Sequence, residues 1–248
     1  MNFLLDLSFD GTRYCGFQVQ KNGLTVCEAI QDAMEALFGT RPEVKGCSRT
    51  DSGVHAEHYA LNFHCDTRIP PEKLPLALNQ KLPPDIRVNR AQAVPEDFHA
   101  RYSAHAKTYH YRIRNNAIDS PFEQAYYYRV PNPLDREAMS RAAAFFVGKQ
   151  DFASLCAADC ETAVRSGTVR TITDCRVTGE GDTITISVTA DGYLYNMVRI
   201  LAGTLLLAGQ KKIRPEDIPG ILAARDRARA GPTLPAKGLF LHRVEYTI

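Results

Sequence analysis

Three observations predict an α+β fold of two lobes for this 248-residue chain. Segments with the period of a strand alternate with segments of helical period, and each half repeats a similar order of strand, helix, strands, helix, strand. Hydrophobic residues make up 44% of the chain and charged residues 23%, enough apolar material for a core. No low-complexity linker divides the halves. The repeated order is that of ferredoxin-like lobes. The expected architecture is therefore a mixed, mainly antiparallel sheet with helices packed on it and a cleft between lobes. The lobes are expected at residues 1–104 and 105–248, with the join between Phe98 and Lys107.

In the first half, Phe3, Leu5, Leu7 and Phe9 alternate with Leu4, Asp6 and Ser8, which predicts a strand ending at Asp10-Gly11. Thr25-Val26-Cys27-Glu28 has the form of a capping box. Val26, Ile30, Ala33, Met34 and Leu37 follow at helical spacing, and Gly39 supplies a stop. A short strand is expected from Glu43 to Cys47, and a longer one around Tyr59, Leu61, Phe63 and Cys65. The proline-punctuated segment from Ile69 to Pro84 leaves room for a short helix, and Ile86 to Val94 reads as a strand.

In the second half, Tyr109, Tyr111 and Ile113 define one strand face, with His110 and Arg112 opposite. A helix is expected from Asp135 to Val147, closing at Gly148. Thr168 to Val177 and Thr183 to Thr189 predict a hairpin around Gly179-Glu180-Gly181-Asp182. Tyr195 to Ala208 is apolar and helical in length, Pro215 to Arg225 is a further helix, and Leu239 to Tyr246 a closing strand.

Composition excludes several classes of protein. No apolar run approaches the roughly 20 residues that span a bilayer. The acid at Asp6 and the lack of a basic start argue against a signal peptide. Seven scattered cysteines, with only Cys156 and Cys160 close together, predict reduced thiols and a cytoplasmic protein. His55, His58 and His64 lack metal-ligand spacing, so no metal is expected. Net charge is only +2, yet its distribution is uneven. Arg101 to Arg114 holds four basic residues (Arg101, Lys107, Arg112, Arg114), three tyrosines and no acid; Gly192 to Arg214 carries Arg199, Lys211, Lys212 and Arg214, again without an acid. Positive strips interleaved with aromatics suit a phosphate backbone with exposed bases, and equally a solvated sheet edge and an ordinary helix end.

Asp51 is the candidate for chemistry. It follows Arg49, whose cation favours an ionised carboxylate, and precedes Gly53, which permits a sharp turn. A carboxylate so placed is suited to covalent catalysis; by residue type alone it reads more readily as a turn residue or helix cap. The run Arg49-Thr50-Asp51-Ser52-Gly53-Val54-His55-Ala56 resembles the active-site signature of the TruA family of tRNA pseudouridine synthases. The resemblance extends along the chain in family order. It includes Asp10-Gly11-Thr12-Arg13-Tyr14-Cys15-Gly16-Phe17-Gln18-Val19-Gln20, then Asn79 with Leu82-Pro83-Pro84-Asp85-Ile86-Arg87, then Lys107-Thr108-Tyr109-His110-Tyr111. It closes with Asn196-Met197-Val198-Arg199 and the stretch from Ala230-Gly231-Pro232-Thr233 to Gly238-Leu239.

The resemblance implies a role for each matched residue. Asp51 is the nucleophile, Tyr109 contacts the flipped uracil and helps move its C5 proton, and Arg199 pairs with the catalytic carboxylate. Without the resemblance, Tyr109 would read as a core strand tyrosine. Arg199 would still stand out as a charge inside an apolar helix, where it needs a buried partner. Arg49 is implied as an RNA contact, and Lys107, Arg112, Arg114, Lys211 and Lys212 are candidates for phosphate. The implied substrate is uridine 38–40 of the tRNA anticodon stem-loop, bound by a homodimer without cofactor, DNA or membrane. Three departures stand out: Ser48 where the family usually has glycine, Ser52 where alanine is common, and Leu234 in place of a more usual alanine. Two other readings remain: a nucleosidase, which generally needs a second carboxylate, and a catalytically silent tRNA-binding paralogue, which would be expected to have lost Asp51 or Tyr109.

Overall fold

The computed structural model describes residues 1–157 and 167–247. The chain divides into two compact units, Met1–His105 with Phe240–Ile248, and Ala106–Leu239. Both are α+β, as the alternating periodicities predict.

The first unit is built on strands β1 (Asn2–Phe9), β2 (Val44–Gly46), β3 (His55–His64), β4 (Ile86–Val94) and β10 (Leu239–Tyr246). Their order is β4-β1-β3-β10, with β1 antiparallel to both β3 and β4. The other edge of β3 is shared. Leu61 and Phe63 pair with Gly46 and Val44 of β2, whereas His55 and Ala56 pair in parallel with Phe240 and Leu241 of β10. Two helices complete the unit, α1 (Val26–Phe38) and α2 (Leu74–Asn79). The expected cap forms: Thr25 Oγ1 accepts the Glu28 N–H at 3.3 Å, and the helix ends at Gly39. Val26, Ile30, Ala33 and Met34 of α1 are buried. Asn79 at the end of α2 mimics a strand neighbour, donating to the Val88 carbonyl at 2.9 Å and accepting its N–H at 2.8 Å.

A buried amide pair was not legible from the strand pattern. Asn62 Nδ2 donates to Asn2 Oδ1 at 2.9 Å and to the Phe98 carbonyl at 3.1 Å, while Asn62 Oδ1 accepts the Ala100 N–H at 2.8 Å. Asn2 Nδ2 donates in turn to the Pro95 and Phe98 carbonyls. With both side chains out of water, each bond removed exposes an unsatisfied partner. Asn62→Ala is expected to destabilise the protein by about 2–4 kcal/mol, read as a lower urea midpoint; an unchanged midpoint would contradict the role assigned to the pair.

The second unit contains β5 (Ala104–Arg114, whose first two residues belong to the first unit), β6 (Tyr128–Arg129), β7 (Gly148–Asp151), β8 (Val169–Glu180) and β9 (Thr183–Ala190). Its antiparallel order is β5-β9-β8-β7, with β6 parallel to β5. The β8–β9 hairpin turns through Gly181-Asp182, with Glu180 opposite Thr183 and Gly181 at φ 53°. Helices α3 (Arg136–Ala144), α4 (Met197–Gly209) and α5 (Ile218–Ala223) accompany the sheet.

Three expected helices differ at their ends. Helix α3 stops at Ala144, because Gly148 already opens β7 and pairs with Ile172 of β8. Helix α4 starts two residues late, after Asn196 adopts a left-handed φ of 60°. The expected helix from Pro215 splits into a 3-10 turn and α5, since Pro219 offers no N–H to continue the ladder. Strands β6 and β7 were not expected: one is two residues long, and Gly-Lys-Gln-Asp carries no apolar alternation.

Cys15, Cys27, Cys47, Cys65, Cys156 and Cys175 are free thiols; Cys160 lies outside the described residues. Burial pushes the Cys27 thiol to about 11 and the Cys175 thiol to about 12, which keeps both protonated at neutral pH. No helix among the described residues is long and apolar enough to cross a membrane.

Candidate active site

In the first unit, Asp51 sits in the loop between β2 and β3 and is half-buried. Its turn closes through the Val54 N–H, which donates to the Asp51 carbonyl at 3.2 Å. Gly53, third of the four turn residues, has φ 78°, a conformation a side chain would strain. A second loop, 10–20, braces the first. Phe17 N–H donates to the Thr50 carbonyl at 3.4 Å and Gly53 N–H to the Tyr14 carbonyl at 3.3 Å. Asp85 then fixes the second loop: Tyr14 Oη donates to its Oδ1 at 2.7 Å, and Arg13 Nε and Nη2 to its Oδ2 at 2.8 and 2.6 Å. Burial, then the Asp85 contact, pushes the Tyr14 phenol well up, so it stays a donor. Three segments remote in sequence thus form one hydrogen-bonded cluster at a single end of β1, β3 and β4.

The two serine departures have structural accounts. Ser52 Oγ donates to the Tyr14 carbonyl at 3.2 Å, an extra tie between the loops that alanine would lack. Ser48 has no positive φ, so its position does not require glycine. Its backbone is held by the phenol of Tyr59, which donates to the Ser48 carbonyl and accepts its N–H at 3.4 Å. Tyr59 is itself fixed by stacking on Phe17 at 4.2 Å.

In the second unit, β5 presents Tyr109, Tyr111 and Ile113 to the interior, as the alternation predicts. The Tyr109 ring meets Tyr193 edge-on, with centroids 4.9 Å apart. Tyr193 Oη lies 2.7 Å from the Lys107 carbonyl and 2.8 Å from that of Val188, so it ties β5 to β9 beside Tyr109. Tyr193 was not singled out from the sequence; its only signal was its place just ahead of the Asn196–Arg199 motif.

Arg199 lies in the first turn of α4, half-buried. Its Nε donates to the Leu234 carbonyl at 2.7 Å and its Nη1 to Asn196 Oδ1 at 2.6 Å. Tyr111 Oη donates to the Pro235 carbonyl at 2.8 Å, and burial pushes that phenol well above its ordinary value. Residues 231–238 therefore link β5 to the start of α4. The link requires glycine: a Cβ on Gly203 would stand 1.9 Å from the Pro232 carbonyl oxygen, and one on Gly231 would stand 2.3 Å from the Gly203 carbonyl carbon.

The cationic candidates divide. Arg49 is exposed, whereas Lys107 and Arg112 are half-buried. Lys107 has the parity of Tyr109 along β5 and Arg112 the opposite one, which places them on opposite faces of the strand. Arg114 does not fit the expected phosphate contact. Glu123 binds its guanidinium at two atoms and the Tyr127 ring lies 4.6 Å away, so its charge is neutralised within the fold. Of the histidines, His55 is buried against the Phe240 ring at 4.6 Å and accepts the Gly11 N–H at Nδ1, His58 meets Asp6 and His64 meets Glu96.

A family model described as tRNA pseudouridine synthase matches residues 7–103 and 142–247. The chain belongs to the tRNA pseudouridine synthase family. It is 45% identical over 245 residues to tRNA pseudouridine synthase A of Caldicellulosiruptor saccharolyticus, covering 99% of each chain. It is 46% identical over 244 residues to the protein of the same name from Moorella thermoacetica, covering 98% of each. The Clostridium acetobutylicum protein of that name is 42% identical over 245 residues. Membership of the tRNA pseudouridine synthase family makes the chain an isomerase acting on tRNA.

Proposed function

We propose that this tRNA pseudouridine synthase isomerises uridine at positions 38–40 of the anticodon stem-loop, with Asp51 as nucleophile and the target base rotated out of its stack. The observation that carries the reading is the bracing of the Asp51 turn by a second motif segment, 10–20, which Asp85 of a third, 82–87, fixes in turn. A turn held that way pre-positions the side chain it carries, and positioning is the larger part of what a covalent catalyst requires. The isomerisation breaks the bond from N1 to C1′ and makes one from C5 to C1′, while C5 loses a proton and N1 gains one. It involves no net oxidation and no external energy source. A single carboxylate serves this by adding to the sugar carbon, by adding to uracil C6, or by assisting elimination.

The other roles follow the matched positions. Tyr109 contacts the uracil and helps move its C5 proton, and Tyr193 holds the Tyr109 ring edge-on. Arg199, oriented by Leu234 and Asn196, pairs with the Asp51 carboxylate. Arg49 helps hold the nucleotide out of the stack. Lys107 and Arg112 bind phosphates, each serving a different stretch of backbone because they leave β5 on opposite faces. The working unit is a homodimer in the cytoplasm, binding tRNA and neither DNA nor membrane.

The direct test uses purified protein and tRNA carrying tritium at uridine C5. Tritium is expected to be released without added cofactor. Binding of that tRNA without release would instead favour a silent tRNA-binding paralogue. Pseudouridine mapping in tRNA from a deletion strain then shows which of the three positions depends on this enzyme.

A further inference from the structure

Outside the clusters above, residues 99–103 of the first unit form a turn with unusually complete hydrogen bonding. The His99 N–H donates to Ser103 Oγ at 3.2 Å, and the Tyr102 and Ser103 N–H groups both donate to the His99 carbonyl, at 3.0 and 2.9 Å. Arg101 N–H donates to His99 Nδ1 at 3.1 Å, which marks that imidazole nitrogen as an acceptor. Ala100 is completely buried, its N–H held by Asn62 and its carbonyl by Tyr246 Oη at 2.6 Å. The turn is therefore fixed to the buried amide pair and to β10. A rigid turn of this kind loses little further freedom when a ligand meets it.

What the turn holds outward is Tyr102, 76% exposed. Nothing in the core explains that exposure. The ring is nevertheless oriented: the His99 ring lies 4.4 Å from it, and the Arg101 guanidinium 5.7 Å from its centroid. The surroundings are cationic. Burial first, then the charges of Lys45 and Arg101, hold the His99 imidazole below its ordinary value, with Glu43 opposing them. His99 thus stays a neutral ring at pH 7, and the positive charge beside Tyr102 belongs to Arg101. An exposed aromatic oriented beside a guanidinium is the pairing that takes a nucleobase on the ring and a phosphate on the cation.

Resting on the function proposed above, we infer that this turn is a nucleotide-binding subsite for tRNA, with one unstacked base on Tyr102 and the adjoining phosphate on Arg101. It is a binding element, so its effect falls on affinity and leaves the chemical step unchanged.

The test uses the full chain and an unmodified tRNA transcript. Tyr102→Ala is expected to weaken binding about tenfold, the size of stacking one base on an aromatic ring. The loss should appear in KM while kcat at saturating tRNA stays at the wild-type value, and Tyr102→Trp should restore affinity. Arg101→Ala should lower the salt slope of binding by about one. Thermal midpoints should match wild type, since Tyr102 is mostly in water. Unchanged affinity in Tyr102→Ala, a loss that follows a lowered thermal midpoint, or a loss that follows a change in oligomeric state would each overturn the subsite. A wild-type protein that binds tRNA through Tyr102 but releases no tritium would overturn the catalytic reading and leave the subsite standing.

Discussion

Asp51→Ala is expected to abolish tritium release from C5-labelled tRNA, by at least about 10⁴-fold, the scale on which losing a covalent nucleophile is felt. Affinity for tRNA should change little, because RNA binding draws mainly on phosphate contacts made by cations elsewhere. The loop should also survive the change. The bonds that brace it include those of the backbone of Thr50, Asp51, Gly53 and Val54 and of the hydroxyl of Ser52, all of which alanine at position 51 leaves in place. The variant therefore separates chemistry from folding. Activity within tenfold of wild type would remove Asp51 as the nucleophile; lost activity with lost tRNA binding would make it a structural residue of the loop.

The second large effect is expected at Gly203. Glycine in a helix interior ordinarily gains about 0.5–1 kcal/mol on replacement by alanine. At Gly203 the sign reverses, because the new Cβ would sit 1.9 Å from the Pro232 carbonyl oxygen, a backbone atom held by its own segment. Thr204 Oγ1 accepts the Gly231 N–H at 2.9 Å beside it, so residues 231–235 cannot move away freely. Gly203→Ala should cost about 3 kcal/mol, at the upper end of overpacking, and lower the thermal midpoint by roughly 5–10 °C. The rate should fall as well, since the displaced segment supplies the Leu234 carbonyl that orients Arg199. Gly220→Ala on α5 is the control: nothing lies within 4 Å of its Cβ position, so stability should hold or rise slightly. A Gly203→Ala protein as stable as wild type would refute the close approach.

Much of the fold was legible because its signals are local. The β1 alternation, the Thr25 cap, the Gly181 hairpin and the apolar face of β5 each follow from residues a few positions apart, and each formed. The elements missed were those whose cause is distant. β7 is a strand because β8 offers it an edge, and Asn62 is buried because Asn2, Phe98 and Ala100 together satisfy its amide. Arg114 read as a phosphate contact because the acid that binds it, Glu123, lies outside the acid-free run in which it was counted.

By itself, then, the sequence determined the α+β class, the family, and which carboxylate stands in the signature. Those depend on short-range period and on motif order. The tertiary structure decided how the Asp51 loop is held and why Ser52 is accommodated there, through hydrogen bonds to residues more than thirty positions away (|i−j| of 38 for Ser52 and Tyr14). It also decided that the closing strand β10 returns to β3 of the first unit rather than pairing by its place in the chain. The reason is the same in each case. A backbone or side-chain donor takes whichever acceptor the fold brings within about 3 Å, and sequence spacing does not encode that distance.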